Sequence, residues 1–151
     1  HGNQSLKQSG PHSLNDFIRQ YIDAGFAIEG LKYELVQDNR AFDCKFDSSS
    51  IGIIIDNIAS NSVKAGATIL QISLEERGKY VEIAFSDNGI GLAENINPQS
   101  LFEWGFSSNR KKKGYGIGLY HIKQLVDEMN GTVEIDTTYR RGFKLIVRLK
   151  K

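Results

Sequence analysis

Apolar and polar positions alternate along this chain in two distinct periods, and the switches between them mark its elements. Leu14, Phe17, Ile18, Tyr21 and Ile22 recur at helical spacing, which predicts a helix from about Leu14 to Ala27 with Ser13 as its N-cap. Two short strand-like runs follow, "LKYELV" and "AFDCKF", with the turn-like "QDNR" between them. A second helical pattern opens at Asp47 or Ser48 and runs to about Ala65, where Gly66 is its expected stop. "TILQISLEE" and "YVEIAFSD" alternate with period two and predict a hairpin turning at "RGK". Periodicity fades from Gly89 to Gly114, a stretch too long for a mere connector in a compact domain. It returns as a helix from about Gly116 to Met129, with Gly131 as its expected stop, and the chain closes with "GTVEID" and "FKLIVRLK" joined at "YRRG". These elements predict an α+β fold: a two-layer α/β sandwich whose mixed, mostly antiparallel sheet carries the helices on one face.

The middle helix carries an anomaly. Ile51, Ile54, Ile55, Ile58, Ser62 and Ala65 form one stripe that should lie on the sheet. Asn57, Asn61 and Lys64 form a second stripe beside it, at the margin of the core, while Asp56 points elsewhere. A side-chain amide oxygen is a hard, uncharged ligand that suits Mg²⁺ when a phosphate chain supplies the negative charge. A lysine on the same face would meet phosphate oxygens as a point charge. Ordinary polar residues at a helix boundary give the same pattern, so the stripe alone leaves both readings open.

Two glycine-rich segments add to it. In "SDNGIGL", Asp87 ends a strand and is followed by Gly89 and Gly91, so a carboxylate is offered to an exocyclic amine where a flat ring can approach the backbone. In "GYGIGLYHIK", Gly114, Gly116 and Gly118 lead into a helix whose first N–H groups suit phosphate. A simple Asx turn and a flexible loop are the plainer readings of each.

Composition narrows the setting. The 151 residues carry 19 Lys and Arg against 18 Asp and Glu, so no overall basic field points to nucleic acid or an anionic membrane. One cysteine, Cys44, allows no internal disulfide and fits a reducing, cytoplasmic setting. No apolar run reaches the roughly 20 residues needed to span a bilayer. Residues 1–12 are polar with glycine and proline and are expected to be a linker, leaving 13–151 as one domain.

Order and spacing together carry a resemblance. "DNIASNSVKAGA", "DNGIGL", "LFEWGFSS" and "GYGIGLYHIK" resemble the N box, first glycine box, F box and second glycine box of the ATP-binding (Bergerat-type) fold shared by gyrase, a major cytosolic chaperone, histidine kinases and the MutL repair proteins. The likeness runs from Phe46 to Lys151, more weakly back to Ser13, and leans towards the catalytic domain of a sensor histidine kinase. Asn57 stands where the chaperone and MutL branches carry a water-activating glutamate; "NSVKAGAT", by contrast, is similar to the MutL branch. The resemblance implies that Asp87 reads the adenine amino group with Gly89 and Gly91 packed close, that Asn61 and Asn57 hold Mg²⁺, and that Lys64, beside Ala65, stabilises the triphosphate. It also implies that Phe106, Ser107 and Ser108 belong to a lid anchored by Phe102 and Phe106, and that Gly114, Tyr115, Gly116, Ile117, Gly118 and Leu119 cradle the phosphates. "NRKKK", residues 109–113, is either a steering patch or solvated surface. The implied partners are ATP, a phosphoacceptor histidine on a separate helical hairpin, and a response regulator. His121, His12 and His1 are not expected to be the acceptor. Two further classes stay open: an ATPase working by dimer closure, and a degenerate module that binds ATP without turnover.

Overall fold

The computed structural model describes residues 13–24, 28–36, 42–103 and 118–151. Helix α1 is Leu14–Asp23, strand β1 Lys32–Val36, helix α2 Ser48–Lys64, β2 Ile69–Arg77, β3 Tyr80–Asp87, a 3-10 turn Pro98–Phe102, helix α3 Leu119–Glu128, β4 Thr132–Ile135 and β5 Lys144–Lys150. The five strands form one sheet in the order β1-β2-β3-β5-β4; β1 and β2 are parallel, and every other neighbouring pair is antiparallel. The fold is the α+β sandwich that the periodicity predicts.

Helix α2 is the keystone of the helical layer. Asp47 caps it, its Oδ2 accepting from the Ser50 N–H at 3.0 Å and the Ser50 hydroxyl at 2.8 Å. Ile51, Ile54, Ile55 and Ile58 are buried together with Leu70, Ile72, Ile83 and Leu145 of the sheet. Each buried isoleucine contributes roughly 2 kcal/mol of apolar burial. The helix ends at Ala65, and Gly66 takes the left-handed φ of 82° that closes it. The inward row of β3, Val81, Ile83, Phe85 and Asp87, is buried throughout, so the strand delivers a carboxylate to the end of an apolar row. On the opposite face the side chains pair as ions: Arg148 meets Glu82 at 3.1 Å and Glu134 at 2.9 Å, and Arg77 meets Glu82 at 3.4 Å.

Three expectations need correction. The first helix ends at Asp23, with Ala24 as its C-cap, rather than near Ala27; Gly25, a poor helix former, follows in the sequence. The described part of "AFDCKF" forms no strand. Its hydrogen bonds go elsewhere: the Phe42 carbonyl accepts from Leu14 N–H at 2.8 Å, the Phe42 N–H donates to Asn15 Oδ1 at 2.9 Å, and Lys45 makes one bond to Lys150. Phe42 itself fills the core beneath α1. The last helix starts at Leu119 after a left-handed Gly118, and the residue with positive φ at its other end is Asn130, not Gly131. Gly131 is required for a different reason, since a Cβ there would run into the Arg148 carbonyl and reach the Leu149 side chain at 2.8 Å. The "QDNR" turn lies outside the described residues.

Helix α1 is tied to α2 by a polar contact at Tyr21. The Tyr21 hydroxyl donates to the Asp56 carboxylate, with oxygens at 3.0 and 2.9 Å, and its ring sits on Gly52, where a Cβ would be 3.0 Å away. Burial first, then the bond to Asp56 and that carboxylate's charge, push the Tyr21 hydroxyl from 10.0 up to about 12. A tyrosine raised in this way contributes stability that is complete below its ordinary value and is lost as pH climbs through the folded one. The difference in unfolding free energy between the wild-type chain and Tyr21→Phe, read by urea denaturation, is therefore largest below pH 10.0 and shrinks as pH approaches about 12.

Candidate nucleotide site

Asp87 is buried, 3 % exposed, and its carboxylate is held from α2, from its own turn and from the entry to β5. Oδ1 accepts from the Gly89 N–H at 2.9 Å, within its own turn, and from the Phe143 N–H at 3.1 Å, at the entry to β5. Oδ2 accepts from the Ser62 hydroxyl of α2 at 2.7 Å. The Asp87 N–H in turn donates to the Phe143 carbonyl at 2.9 Å. The turn that follows is pinned on both sides. The Asn88 side chain accepts from Thr68 and Ile69 N–H at 2.8 and 3.0 Å, and Ile90 N–H donates to the Ala65 carbonyl at 3.0 Å.

Glycine makes this approach of backbones possible. A Cβ on Gly142 would collide with the Asp87 carbonyl and lie 2.8 Å from Oδ1. One on Gly91, already at φ 80°, would lie 3.0 Å from the Gly142 carbonyl. The result is a cradle with a carboxylate at its base and no side chain on two of its walls. A groove of about 580 Å³ shares Gly91, Gly142 and Phe143 with it and extends between residues 90–98 and the β4–β5 turn.

The second stripe of α2 lies alongside. Asn61 is 3 % exposed, Asn57 half-buried and Lys64 exposed in the last turn. Among the described residues, Asn57 Nδ2 is buried without a hydrogen-bond partner, and Gly118 packs against that amide so closely that a Cβ would sit 3.2 Å from Asn57 Cγ. A buried donor left unpaired costs about 1–3 kcal/mol, so it is placed to be completed by an acceptor. An amide pair, a lysine and glycines at a helix start fit a magnesium-bound polyphosphate: the amide oxygens can face the cation, while Nδ2 and Lys64 can face phosphate oxygens. Asp56 faces Tyr21, away from this stripe, as expected.

Of the residues expected at the site, Asn57, Asn61, Lys64, Ala65, Asp87, Gly89, Gly91 and Gly118 line α2, the Asp87 turn and the start of α3. Leu119 follows Gly118, but its side chain is wholly in the core, leaving only its backbone to offer. Phe102 is buried in the 3-10 turn. Phe106, Ser107, Ser108, residues 109–113, Gly114, Tyr115, Gly116 and Ile117 lie outside the described residues. His121 is exposed on α3. Cys44 offers no nucleophile near neutral pH, because burial, helped by the Asp43 charge, pushes its thiol from 9.0 up to about 12. Ser62, Gly142 and Phe143 were not anticipated as site residues. Ser62 had a legible signal, since a hydroxyl within an aliphatic buried stripe needs a partner.

A two-layer sandwich with an aspartate cradle at a strand end and an asparagine-lined helix beside it defines an ATPase-type nucleotide-binding domain. The chain belongs to the family of histidine kinase-, DNA gyrase B- and HSP90-like ATPases, whose model matches residues 46–151. Within the family its relatives are sensor kinases. It is 33 % identical over 102 residues to the sensor-type histidine kinase PrrB of Mycobacterium tuberculosis, covering 67 % of this chain and 23 % of that protein. It is 30 % identical over 112 residues to a probable C4-dicarboxylate sensor kinase of Bacillus subtilis, covering 69 % of this chain and 21 % of that protein. The chain therefore spans under a quarter of these relatives' length. The solved ATP-binding domain of the Mycobacterium tuberculosis PrrB superposes with a TM-score of 0.70 at 27 % identity, over 91 % of this chain and 93 % of that one. The catalytic domain of histidine kinase ThkA shares the fold, with a TM-score of 0.74 at 19 % identity over 92 % and 93 % of the two chains. The chain is an ATPase-family domain similar to those that sensor histidine kinases carry.

Gly142→Ala is expected to cost about 3 kcal/mol of stability in chemical denaturation, because its methyl group meets backbone that cannot yield.

Proposed function

We propose that this domain binds Mg-ATP between α2, the Asp87 turn and the start of α3, and donates the γ-phosphate to a histidine on a separate helical hairpin. The observation that carries the reading is the buried Asp87 carboxylate, fixed by Ser62, Gly89 and Phe143 beside the unpaired Asn57 amide. In this reading Asp87 accepts a hydrogen bond from the adenine amino group, and Gly91 lets the ring approach. Asn61 and Asn57 hold Mg²⁺, which when bound neutralises charge on the phosphates. Lys64 faces the same oxygens, and Gly114, Gly116 and Gly118 offer N–H groups to them.

Transfer is favoured over hydrolysis by what faces the phosphates. Activating water needs a general base within hydrogen-bond reach. Asn57 carries no basic lone pair for that task, and Asp56 is engaged by Tyr21. The acceptor imidazole nitrogen would instead attack the γ-phosphorus, forming an N–P bond as the bond to the ADP oxygen breaks. His121 lies within the helix that follows Gly118 and belongs to no separate hairpin, so the acceptor is supplied by another domain of the parent protein. From there the phosphoryl group passes to a response regulator. The working unit is residues 13–151 with residues 1–12 as a linker, acting in the cytoplasm. No helix among the described residues is long and apolar enough to cross a membrane.

Calorimetric titration of Mg-ADP and Mg-ATP into the wild-type chain, Asp87→Asn and Asn61→Ala tests the binding step. Wild-type binding is expected, with Asp87→Asn weakening it at least about tenfold and Asn61→Ala abolishing its dependence on magnesium. Label transfer from γ-labelled ATP to a histidine-bearing hairpin supplied in trans tests the chemistry. Turnover that instead rises steeply with protein concentration, without transfer, identifies an ATPase working by dimer closure.

A further inference from the structure

Met129 is the only methionine in the chain. It caps the C-terminal end of α3 and is half-buried, packed against the edge of the core. Its Sδ accepts from the N–H of Asp47 at 3.5 Å, and Asp47 is the N-cap of α2. Gly118, at the other end of α3, lies against the Asn57 amide, where a Cβ would come within 3.2 Å of Cγ. Helix α3 therefore runs antiparallel to α2 and touches it at both ends: the thioether at the α2 N-cap, Gly118 at the asparagine margin. A helix of 10 residues between two such contacts moves as one rod, because close-packed interiors pass a displacement on rather than absorb it. A change in the chemistry of the sulfur is thereby felt at Asn57.

We propose that Met129 is an oxidation site whose sulfoxide unseats Gly118 from Asn57 and so weakens the nucleotide site. The effect on nucleotide rests on the reading that Asn57 and Gly118 border the phosphates. The oxidant is hydrogen peroxide. The thioether sulfur attacks one peroxide oxygen, an S–O bond forms as the O–O bond breaks, sulfur gives up two electrons, and the second oxygen leaves as water. The sulfoxide is polar and chiral, and its oxygen replaces the sulfur as the acceptor that the Asp47 N–H meets. That oxygen needs room between the sulfur and the N–H, so the C-terminal end of α3 backs away from α2 or the side chain leaves the core edge. Either way α3 loses its far anchor, and Gly118 loses its fixed place against Asn57. The other sulfur of the chain does not compete. Burial, helped by the Asp43 charge, pushes the Cys44 thiol up to about 12, and the thiolate is the form that reacts. Methionine sulfoxide reductase returns the sulfoxide to the thioether, so the change is reversible.

The wild-type chain and Met129→Leu, which keeps the apolar volume without the oxidisable sulfur, are treated with hydrogen peroxide. Peptide mass spectrometry locates the added oxygen. NMR of the nucleotide-free chain follows the Gly118 amide and the Asn57 side-chain NH₂, and calorimetry gives the Mg-ADP dissociation constant. The expected result is one oxygen on Met129, displaced Gly118 and Asn57 signals, and Mg-ADP binding weakened at least about fivefold, all reversed by methionine sulfoxide reductase. Met129→Leu is expected to bind like the untreated wild type and to be unchanged by peroxide. It retains Cys44, so an equal loss there assigns the effect to the thiol and overturns the inference. A Met129 that takes up no oxygen overturns it as well, as does a sulfoxide that leaves the affinity unchanged, whether or not thermal stability falls. An untreated chain that fails to bind Mg-ADP, with peroxide still displacing the Gly118 and Asn57 signals, refutes the nucleotide reading and supports the coupling between the two ends of α3.

Discussion

A carboxylate withdrawn from water is tolerable only when donors surround it, and at Asp87 the donors among the described residues come from places far apart in sequence: Ser62 on α2, Gly89 in the following turn and Phe143 leading into β5. That requirement explains much of the architecture. Strand β3 must lie next to β5, so that Phe143 can reach the end of β3. Helix α2 must cross the sheet with its isoleucines inward, so that Ser62 arrives over Oδ2. Gly91 and Gly142 must lack side chains, because the segments they occupy touch. The core holds these elements in register and the carboxylate joins them at one point.

The site is built with rigid and incomplete parts side by side. The Asp87 cradle is internally satisfied, whereas the Asn57 amide beside it is buried with Nδ2 unpaired. Polar groups that are fully paired fix geometry; a polar group that lacks a partner is a place for a ligand to repay desolvation. In the proposed reading, the two asparagines four residues apart on α2 find their explanation there. One helix turn separates them at the margin of the core, Asn57 against the left-handed Gly118 that precedes α3, and neither stands in the aliphatic stripe. Among the described residues, the neutral amide at 57 and the diversion of Asp56 towards Tyr21 leave this margin without a base for water, which is why transfer rather than hydrolysis is proposed.

Much of this was legible because periodicity and glycine placement act locally. The amphipathic α2, its Asp47 cap, its stop at Gly66 and the β2–β3 hairpin follow from spacing and turn chemistry. The order of asparagine helix, "DNGIGL" and "GYGIG" gave the family. What stayed hidden depends on contacts between distant segments. "AFDCKF" has strand composition, but its Phe42 backbone bonds to the start of α1 and its side chain enters the core, a choice no local pattern records. Gly142 is a hairpin glycine in sequence and a wall of the Asp87 cradle in space. Gly131 suggested a helix stop, while Asn130 adopts the left-handed conformation and Gly131 makes room for β5.

The central claim is that the Asp87 cradle and the asparagine margin of α2 together form one nucleotide site, and its most direct test is an amide NMR titration of the wild-type chain with Mg-ADP. The account predicts that the largest saturable shifts fall on the Gly89 and Phe143 backbone N–H groups and on the Asn57 side-chain NH₂. Shifts confined to residues 92–98 and 135–140, along the neighbouring groove, with those three signals unmoved, would contradict it.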